Sequence, residues 1–465
     1  MTVLDASVVN VALPSIQRDL DFSLTDLTWV VDAYLLAYAG FLLLGGRAAD
    51  LVGRSRLFVG GVALFSVASL ACGLSVEPWQ LVVSRGVQGL GAALVAPAAL
   101  ALITDIFPEG RQRNKALGIW GGMAGVGGAA GVMLGGLLTA AAWEWAFLIN
   151  VPIGGVVLVA ALRMLPASMP TATSGLDLTG ALTGTAGLGL LIYGVVRGGA
   201  QGWGSVATLA EFAVAALLLA AFVVRQRTAT APLVPTELFR RRNIVIGNAT
   251  IPLVGVLLFA TFFVVTLYMQ QVRGYSPIEA GLIYVPINVT MLAGAYLAPR
   301  LAARVGPPKA LMAGLLVQAG ALAWWASVLE AQGGVLSSFL LPIMVWSCGL
   351  GMSIVSAYVV CTSGLTGSNA GVASGLATTT YQSGGAIGLA VLSAIAAYRT
   401  DSLLGERSPS GPGAADALVS GYAASTWVAV AVAVAGAGLA RLLAVRSSSS
   451  RYSGIDEPNT AADAG

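Results

Sequence analysis

The sequence contains no histidine, only three cysteines and few charged side chains. Without histidine the chain lacks the side chain that titrates near neutral pH and the commonest metal ligand, so proton chemistry must use Asp, Glu or Tyr. The cysteines, Cys72, Cys348 and Cys361, stand apart in apolar runs, and this spacing argues against a disulfide framework or a cysteine metal site. Charged residues make up 10% of the chain, against about 25% in an ordinary soluble domain.

Apolar residues take the place of the missing charges. They make up 57% of the chain, and the mean hydropathy is +0.84. Because so few charges could not cover this apolar surface in water, the composition predicts a polytopic membrane protein. The net charge of +3 gives no reason to expect nucleic-acid binding.

The apolar residues occur in long runs. A membrane helix needs about 20 of them to cross roughly 30 Å of hydrocarbon. Fourteen runs therefore predict fourteen spans, at 1–17, 27–46, 57–75, 79–104, 116–139, 145–165, 177–196, 207–225, 244–271, 279–299, 310–329, 337–363, 372–398 and 418–441.

The basic residues predict the orientation of these spans. With the N-terminus inside, the inner segments carry 18 of the 24 Lys and Arg residues, the outer loops carry five, and Arg85 lies inside a span. This bias is typical of cytoplasmic loops. It favours an even number of spans with both termini in the cytoplasm. Because no basic stretch typical of a cleaved signal peptide precedes the first run, we expect that run to belong to the mature chain.

An internal repeat relates the two halves of the chain at a fixed offset of 253 residues. The aligned segments are "LGGRAADLVGRSRLFVGG" (44–61) and "LAPRLAARVGPPKALMAG" (297–314). The same offset relates two pairs of glycines, which are Gly131 and Gly384, and Gly135 and Gly388. The repeat predicts that spans 1–6 recur as spans 9–14 in the same orientation. Two halves related by an axis along the membrane normal are a transporter design, with the substrate site between them.

The predicted fold class is therefore all-α integral membrane, with two six-helix bundles and two extra central helices. The predicted units are an N-terminal bundle at 1–165, an insertion at 166–243, a C-terminal bundle at 244–441 and a disordered cytoplasmic tail at 442–465. The insertion holds the spans 177–196 and 207–225 and ends in a basic linker, which we expect to lie along the inner membrane surface.

The segment "GGRAADLVGRSR" joins spans 2 and 3 on the predicted inner side. Gly46 and Gly53 permit tight turns. Asp50 is placed either to cap span 3 or to pair with a nearby arginine. Arg54 and Arg56 are expected to face anionic lipid headgroups. The alternative is an ordinary positively charged turn.

Arg85 is the one basic residue inside a predicted span. A buried cation costs from about 2.5 to over 10 kcal/mol, so it should face the interior and find a partner. Helix-terminal carbonyls and Gln88 can satisfy it as a structural charge, or it can tune a carboxylate and organise a proton pathway. Asp5 and Asp32 are the only acids well inside predicted spans, and Asn10 is placed to form a hydrogen bond across helices.

A carboxylate inside a span can serve proton transfer. Desolvation raises the pKa of such a group, and a nearby arginine lowers it. An acid between these effects can load a proton on one side and release it on the other, and its anionic form can hold a cationic compound. For Asp5 and Asp32 the alternative is structural pairing. Asp177, Glu211 and Glu279 lie near span starts, where we expect caps or interface charges.

These motifs resemble those of the major facilitator superfamily. The pattern G-x-x-x-D-x-x-G-R-x-R between spans 2 and 3 looks like its signature loop. In span 4, "LVVSRGVQGLGAA" (81–93) matches L-x-x-x-R-x-x-Q-G-x-G-x-A throughout. In span 5, "GGAAGVMLGG" (127–136) is similar to the antiporter motif G-x-x-x-G-P-x-x-G-G, with Val132 in place of proline. "LDASVVNVALP" (4–14) and "WEWAFLINVPIG" (143–154) resemble motifs of the fourteen-span drug:proton antiporter family.

The resemblance implies proton-coupled export of small apolar or cationic compounds, such as antibiotics and other drugs, by alternating access. It implies a proton-coupling role for Arg85, and close helix packing at the glycines of span 5, which are Gly127, Gly131, Gly135 and Gly136. The expected partners are a small-molecule substrate, protons and membrane lipids, without nucleic acid, cofactor or obligate protein partner. The expected location is a bacterial cytoplasmic membrane.

Two alternatives stay open at this point. The chain could transport one native metabolite or work in the uptake direction. An integral-membrane enzyme is the more distant alternative, since it would need catalytic groups or metal ligands clustered within the spans, and the sequence shows no such cluster.

The first span is the shortest of the fourteen. From Met1 to Gln17 a helix rises ~24 Å, roughly 6 Å less than the hydrocarbon thickness. Counted from Gln17, Asp5 lies ~18 Å deep, close to the midplane. We expect either a start site placed too far downstream or a first span that is thinly supported, and the intact mass of the native protein distinguishes the two.

Overall fold

The computed structural model describes the chain at residues 1–23, 26–107, 112, 116, 127, 130–131, 133–165, 177–229, 232–233, 236–331, 334–363, 365, 367–404 and 413–452. These residues form helices and their connections, and no strand occurs among them. The first-half helices are α1 (Thr2–Asp19), α2 (Trp29–Val52), α3 (Arg54–Gly73), α4 (Pro78–Ile106), α5 (helical at 133–141), α6 (Trp145–Leu148) and α7 (Asn150–Met164). The later helices are α8 (Leu178–Gln201), α9 (Val206–Thr228), α10 (Arg242–Leu267), α11 (Pro277–Val305), α12 (Pro307–Val328), α13 (Leu341–Thr362), α14 (Gly367–Leu404) and α15 (Ala414–Tyr452).

The all-helical membrane fold predicted from composition is confirmed. Eleven helices in the described part are long and apolar enough to cross a membrane. Every predicted span except 116–139 coincides with a described helix. Most of 116–139 lies outside the described residues, so the count of fourteen spans stays a prediction.

The two halves share an unusual helix junction. A single glycine joins α2 to α3 and α11 to α12, with φ of 101° at Gly53 and 90° at Gly306. Only glycine adopts such a backbone without a Cβ penalty. The two positions are 253 residues apart, so the repeat read from the sequence is present in the backbone.

Close packing of one helix pair is also repeated. A Cβ at Gly131 or Gly135 would lie 2.7 Å from the Leu4 carbonyl oxygen or 3.1 Å from the Val8 Cα, both on α1. In the second half, Gly388 of α14 has the same close approach to α10, where an added Cβ would lie 2.6 Å from Val256. In lipid, helices associate through such small-residue contacts and not through hydrophobic exclusion from water.

Two predicted boundaries are wrong. Helix α2 does not end at 46 but runs to Val52, so Gly46 lies inside a helix and forms no turn. The intervening alanines are strong helix formers and no breaker occurs before Gly53. Likewise α15 continues to Tyr452, so the first part of the tail predicted to be disordered from 442 is helical. No glycine or proline interrupts it there, and 453–465 lie outside the described residues.

The inserted helices α8 and α9 form a hairpin that packs on α2 of the first half and α14 of the second. At one end Asp177 accepts hydrogen bonds from the Gly180 N–H (3.0 Å), Arg225 Nε (2.8 Å) and Gln226 Nε2 (3.0 Å). Burial raises the pKa of Asp177, but these hydrogen bonds outweigh it and hold the pKa below its ordinary value. At the other end Arg197 pairs with Glu211 at 2.7 Å.

For two of the three acids near span starts, the expected helix caps are confirmed. Asp177 caps α8, and Glu279 forms a capping box with Ser276 at the start of α11. Glu211 is held as an ion pair within the inserted hairpin. None of the three is a free acid inside the bundle.

Candidate functional site

A fully buried ion pair joins α1 to α4. Arg85 Nη1 lies 2.7 Å from Asp5 Oδ2, and the two side chains are 1% and 0% exposed. Removing two charges from water costs several kcal/mol per ion, which only good geometry and further hydrogen bonds can offset. The sequence left open which acid Arg85 serves, and the structure pairs it with Asp5.

Two amides complete the hydrogen bonds to the Asp5 carboxylate. Gln88 Nε2 donates to Asp5 Oδ1 at 2.8 Å, and Asn150 Nδ2 donates to the same oxygen at 2.8 Å. Asp5 thus accepts from α4 and from the first residue of α7. Three charge-assisted bonds of this kind stabilise the ionised carboxylate. The described donors around Asp5 thus supply three hydrogen bonds and one opposite charge to its carboxylate.

Arg85 has further partners on α2 and α4. Its Nε donates to the Val30 carbonyl at 2.7 Å, and its Nη1 also donates to Gln88 Oε1 at 2.5 Å. The guanidinium lies 4.4 Å from the Tyr34 ring centroid and 5.7 Å from that of Phe147, which adds cation–π attraction. The sequence offered two interpretations of Arg85, as a charge satisfied by a carbonyl and Gln88 or as a partner of a carboxylate. The structure contains both sets of contacts.

Two residues of this hydrogen-bond network, Asn150 and Ser69, were not predicted from the sequence. Asn150 occurs in the quoted stretch "WEWAFLINVPIG", where an amide inside an apolar run was the available signal. Ser69 on α3 accepts from Gln88 Nε2 at 2.7 Å. Nothing in its local sequence separates it from other serines of the spans. Together they connect the ion pair to α3 and α7.

Asn10 forms no hydrogen bond to another helix among the described residues. Its Nδ2 donates 2.9 Å to the Ala6 carbonyl one turn earlier in α1. A side-chain amide in a helix can satisfy itself this way, and Asn10 does so although other helices pack nearby. The expected cross-helix hydrogen bond is therefore wrong.

Asp32 is a second buried acid with a different environment. It is 0% exposed in the first turn of α2. Neither of its oxygens meets the geometry of a hydrogen bond, and no ion pair to it occurs in the described part of the chain. The polar side chain that acts on it is Thr28, one turn earlier. Asp32 thus lacks the compensation that Asp5 receives from Arg85.

The signature segment places one arginine against α4. Arg54, at the start of α3, forms an ion pair with Asp105 and donates 3.4 Å to the Ala101 carbonyl. Arg56 is exposed. Gly53 precedes α3, and the Asp50 side chain lies outside the described part, so its predicted role as a cap or an arginine partner stays a prediction. Asp105 is a partner that the sequence reading did not identify.

The glycines of the 127–136 motif approach the strip of α1 that carries Asp5. Gly127, Gly131 and Gly135 recur every four residues, and each approaches α1 between Val3 and Val11. Gly136 instead faces the second half, where an added Cβ would lie 2.8 Å from the Pro277 carbonyl oxygen of α11. The motif therefore packs next to the ion pair and at a contact between halves.

Polar contacts join the two halves at the predicted outer end, and we name them the outer clasp. A π-helical turn, Tyr268–Val272, presents the two glutamines of the clasp after α10. π turns inside helices are frequent at functional sites. The hydrogen bonds of the clasp run from Gln270 Nε2 to the Val11 carbonyl (2.9 Å) and from Gln271 Nε2 to Gln17 Oε1 (2.7 Å). Within the second half, Tyr422 Oη donates to Gln271 Oε1 at 2.8 Å and orients that side chain.

Replacing Gln271 with leucine is expected to loosen the outer clasp, because its hydrogen bond to Gln17 across the two halves is lost, at about 0.5–1.5 kcal/mol. The population opened at that end should rise roughly two- to twelvefold. Spin labels on Ser23 and Ser276, measured by pulsed EPR in nanodiscs, should report more of the longer distance. Gln80→Leu is the matched control, since Gln80 bonds only within the first half. Equal distributions in Gln271→Leu and wild type would contradict a gating role.

Comparison with known proteins shows which family has this architecture. The family model of the Major Facilitator Superfamily matches residues 1–389. The chain is 43% identical over 398 residues to the cephamycin export protein CmcT of Amycolatopsis lactamdurans, covering 84% of this chain and 82% of that protein. It is 35% identical over 470 residues to the puromycin resistance protein pur8 of Streptomyces alboniger, covering 99% and 91%.

Solved structures agree on the fold. A bacterial homologue of the human lysosomal transporter Spinster, in an inward-facing and unoccupied conformation, superposes with a TM-score of 0.69 at 17% identity, covering 95% of this chain and 94% of that one. The same family is indicated by the helix junction repeated at Gly53 and Gly306, by the paired bundles and by the match to the family model. The chain belongs to the Major Facilitator Superfamily and is a multi-pass membrane transporter.

Proposed function

We propose that this protein exports small apolar or cationic compounds, antibiotics among them, across a bacterial cytoplasmic membrane in exchange for protons. The names of two similar proteins, a cephamycin export protein and a puromycin resistance protein, support export of antibiotics. The observation that carries proton coupling is Asp32, a buried carboxylate that has no cationic partner in the described part of the chain and only Thr28 as a polar neighbour.

The two buried acids are suited to different tasks. Asp5 has an opposite charge and two amide donors as partners, so the ion pair can hold the helices together. No such group compensates Asp32. An isolated charge in an apolar interior is costly, and such a group becomes neutral instead. In this arrangement Asp32 carries a proton, and in the alternate conformation it releases that proton when water or a cationic substrate reaches it.

The proposal also covers the energy source, the orientation and the partners of the protein. The proton gradient supplies the energy, and no cofactor or obligate protein partner is needed. Both termini lie in the cytoplasm, as the distribution of basic residues favours. Membrane lipids contact the exposed apolar helix faces. Membership in a family of transporters leaves no place for the enzyme alternative.

Dye accumulation tests export. A bacterial host lacking its own pumps would express the wild-type chain or carry the empty vector, and a panel of fluorescent cationic and neutral compounds would be loaded. We expect several-fold lower accumulation of some compounds in expressing cells, and a protonophore should abolish the difference. Higher accumulation in expressing cells would contradict export and favour uptake. No effect on any compound would favour a single dedicated metabolite.

A further inference from the structure

A small apolar cluster ties the linker that follows α9 to both halves of the chain. We name it the inner cluster, because its helical members lie near the predicted inner ends of their helices. Its buried members are Leu233 and Leu238 of the linker, Ala181 of α8, Ile244 of α10 and Leu376 of α14. The side chains packed against them are Leu44 of α2, Phe222 of α9, Leu365 before α14 and Val372 of α14.

The inserted helix α8 brings this cluster to the place where the halves meet. It packs on α2 and on α14, which also contact each other. A Cβ added at Gly40 of α2 would lie 2.6 Å from Thr185 of α8, and nearer the outer end the rings of Trp29 and Tyr193 have centroids 6.0 Å apart. Because the cluster holds side chains of both halves, opening at the inner end has to break it or pull the linker out of it.

The linker has an inward face and an outward face. Leu233 and Leu238 are 9% and 3% exposed, so their packing in the cluster removes most of their apolar surface from solvent. Leu238 lies in a 3₁₀ turn, Thr236–Arg240, and the next side chain, Phe239, is 50% exposed. The turn therefore holds one apolar side chain in the protein and presents another at the surface.

The outward face is basic. Arg240, Arg241 and Arg242 follow Phe239 and are all exposed, and Glu237 is the acid exposed on the same turn. Arg242 donates 3.3 Å to the Leu442 carbonyl. Neither Arg240 nor Arg242 has a carboxylate partner in the described part of the chain. Three positive charges against one negative charge leave this face able to bind an anion.

The pairing of an exposed aromatic ring with arginines selects an anionic phospholipid as that anion. The linker joins the ends of two membrane helices, α9 and α10, so it lies at the membrane surface. Basic side chains there attract anionic headgroups, and an aromatic ring beside them enters the boundary between headgroups and acyl chains. A soluble anion would satisfy the arginines but would leave the Phe239 ring in water.

The geometry also gives the direction of the effect. Phe239 and the arginines are exposed while Leu233 and Leu238 are packed in the cluster, so a lipid can bind this arrangement without moving the linker. A ligand shifts an equilibrium toward the conformation that it binds better. Anionic lipid should therefore favour the conformation in which the inner cluster is intact.

We propose that the linker is a latch controlled by lipid. Anionic phospholipids of the inner leaflet bind Phe239, Arg240 and Arg242, hold Leu233 and Leu238 in the inner cluster, and so keep the inner end closed. This inference concerns regulation of the transport cycle and does not depend on which compound is exported.

Distances at the inner end test the lipid effect. Spin labels on Val52 and Val305, exposed at the ends of α2 and α11, are measured by pulsed EPR in nanodiscs of phosphatidylcholine, alone or mixed with an equal amount of phosphatidylglycerol. Phosphatidylglycerol should lower the ratio of open to closed distances about fivefold or more in wild type. The double variant Arg240→Gln, Arg242→Gln should lose this effect. Arg163→Gln is the matched control and should keep it, since Arg163 is exposed at the inner end of α7.

A second variant tests the latch itself. Leu238→Ala should raise the ratio of open to closed distances about tenfold in both lipids, because truncation of a buried leucine removes most of its contact with the cluster. Leu217→Ala is the control, since Leu217 is 69% exposed on α9. Thermal melting verifies folding, and Leu238→Val replaces Leu238→Ala if the alanine variant does not fold.

Four results would overturn the inference. Phosphatidylglycerol without effect on wild type, or with an undiminished effect on the double arginine variant, would show that these arginines do not sense lipid. Inorganic phosphate that reproduces the effect in phosphatidylcholine would show that the ligand is a soluble anion. A Leu238→Ala protein with the distances of wild type would show that the inner cluster does not hold the inner end closed.

Discussion

Arg85→Met is expected to abolish export and to lower the free energy of unfolding by about 3–5 kcal/mol, because removing one partner of a buried ion pair leaves the other charge uncompensated. Methionine keeps the length of the side chain but removes its charge. The Asp5 carboxylate would then stay buried, 0% exposed, with two amide donors and no counter-charge. The Val30 carbonyl would lose its 2.7 Å donor as well. Thermal unfolding in detergent and dye export from cells measure the two effects.

A double variant separates stability from function. Asp5→Asn in combination with Arg85→Met removes both charges, so most of the lost stability should return, because replacing both partners of a buried pair is often close to neutral. Export should not return, because the position of the helices around the pair is altered. Arg197→Met is the matched control: its ion pair with Glu211 is partly exposed and should contribute about 1 kcal/mol or less. An Arg85→Met protein as stable as Arg197→Met would contradict the ion pair as the anchor of this bundle.

Asp32→Asn is expected to lower the rate of proton-coupled export by about a hundredfold or more while leaving the protein at least as stable as wild type. Asparagine has the shape of the protonated acid, so a carboxyl that is already neutral loses nothing in packing. It cannot release a proton, however, so the exchange cycle stops. Asp32→Glu should retain part of the rate, since it keeps the acid. The rate of dye efflux from preloaded cells and the melting temperature measure these effects.

We therefore expect opposite effects on stability when the charge is removed from Asp5 and from Asp32. Removing the charge of Asp5 alone should destabilise the protein, because Arg85 is then left without its partner. Removing the charge of Asp32 should not. Asp401→Asn is a matched control for export, since Asp401 is exposed at the end of α14. A large loss of stability in Asp32→Asn would show that a partner compensates the Asp32 charge in the membrane.

Much of the fold could be predicted from sequence because it depends on long periodic signals. Spans follow from apolar runs, and the repeat follows from a fixed offset that the backbone reproduces at Gly53 and Gly306. Helix ends depend on single residues, and these were less predictable. The end of the apolar run at 46 did not end α2, because the helix continues until the backbone meets Gly53.

The candidate site was predictable where a charge had to be buried, and not where a neutral side chain made the contact. Arg85 and Asp5 stand out because an ion inside a span requires a partner. Asn150 and Ser69 do not stand out in the sequence, since amides and hydroxyls are tolerated in membrane spans without a charged partner. Asn10 is the converse case: it was expected to reach another helix and instead bonds to Ala6 of its own. The unpaired state of Asp32 depends on three-dimensional packing, which no local pattern encodes.

Proteoliposomes measure the central claim directly. Purified wild-type protein is reconstituted with a pH-sensitive dye trapped inside, and a gradient of an exported compound is imposed without any initial pH difference. Wild type should move protons against the flow of the compound, and Asp32→Asn vesicles should show no proton movement. Compound flow without a pH change in wild type, or an unchanged pH response in Asp32→Asn, would contradict the account.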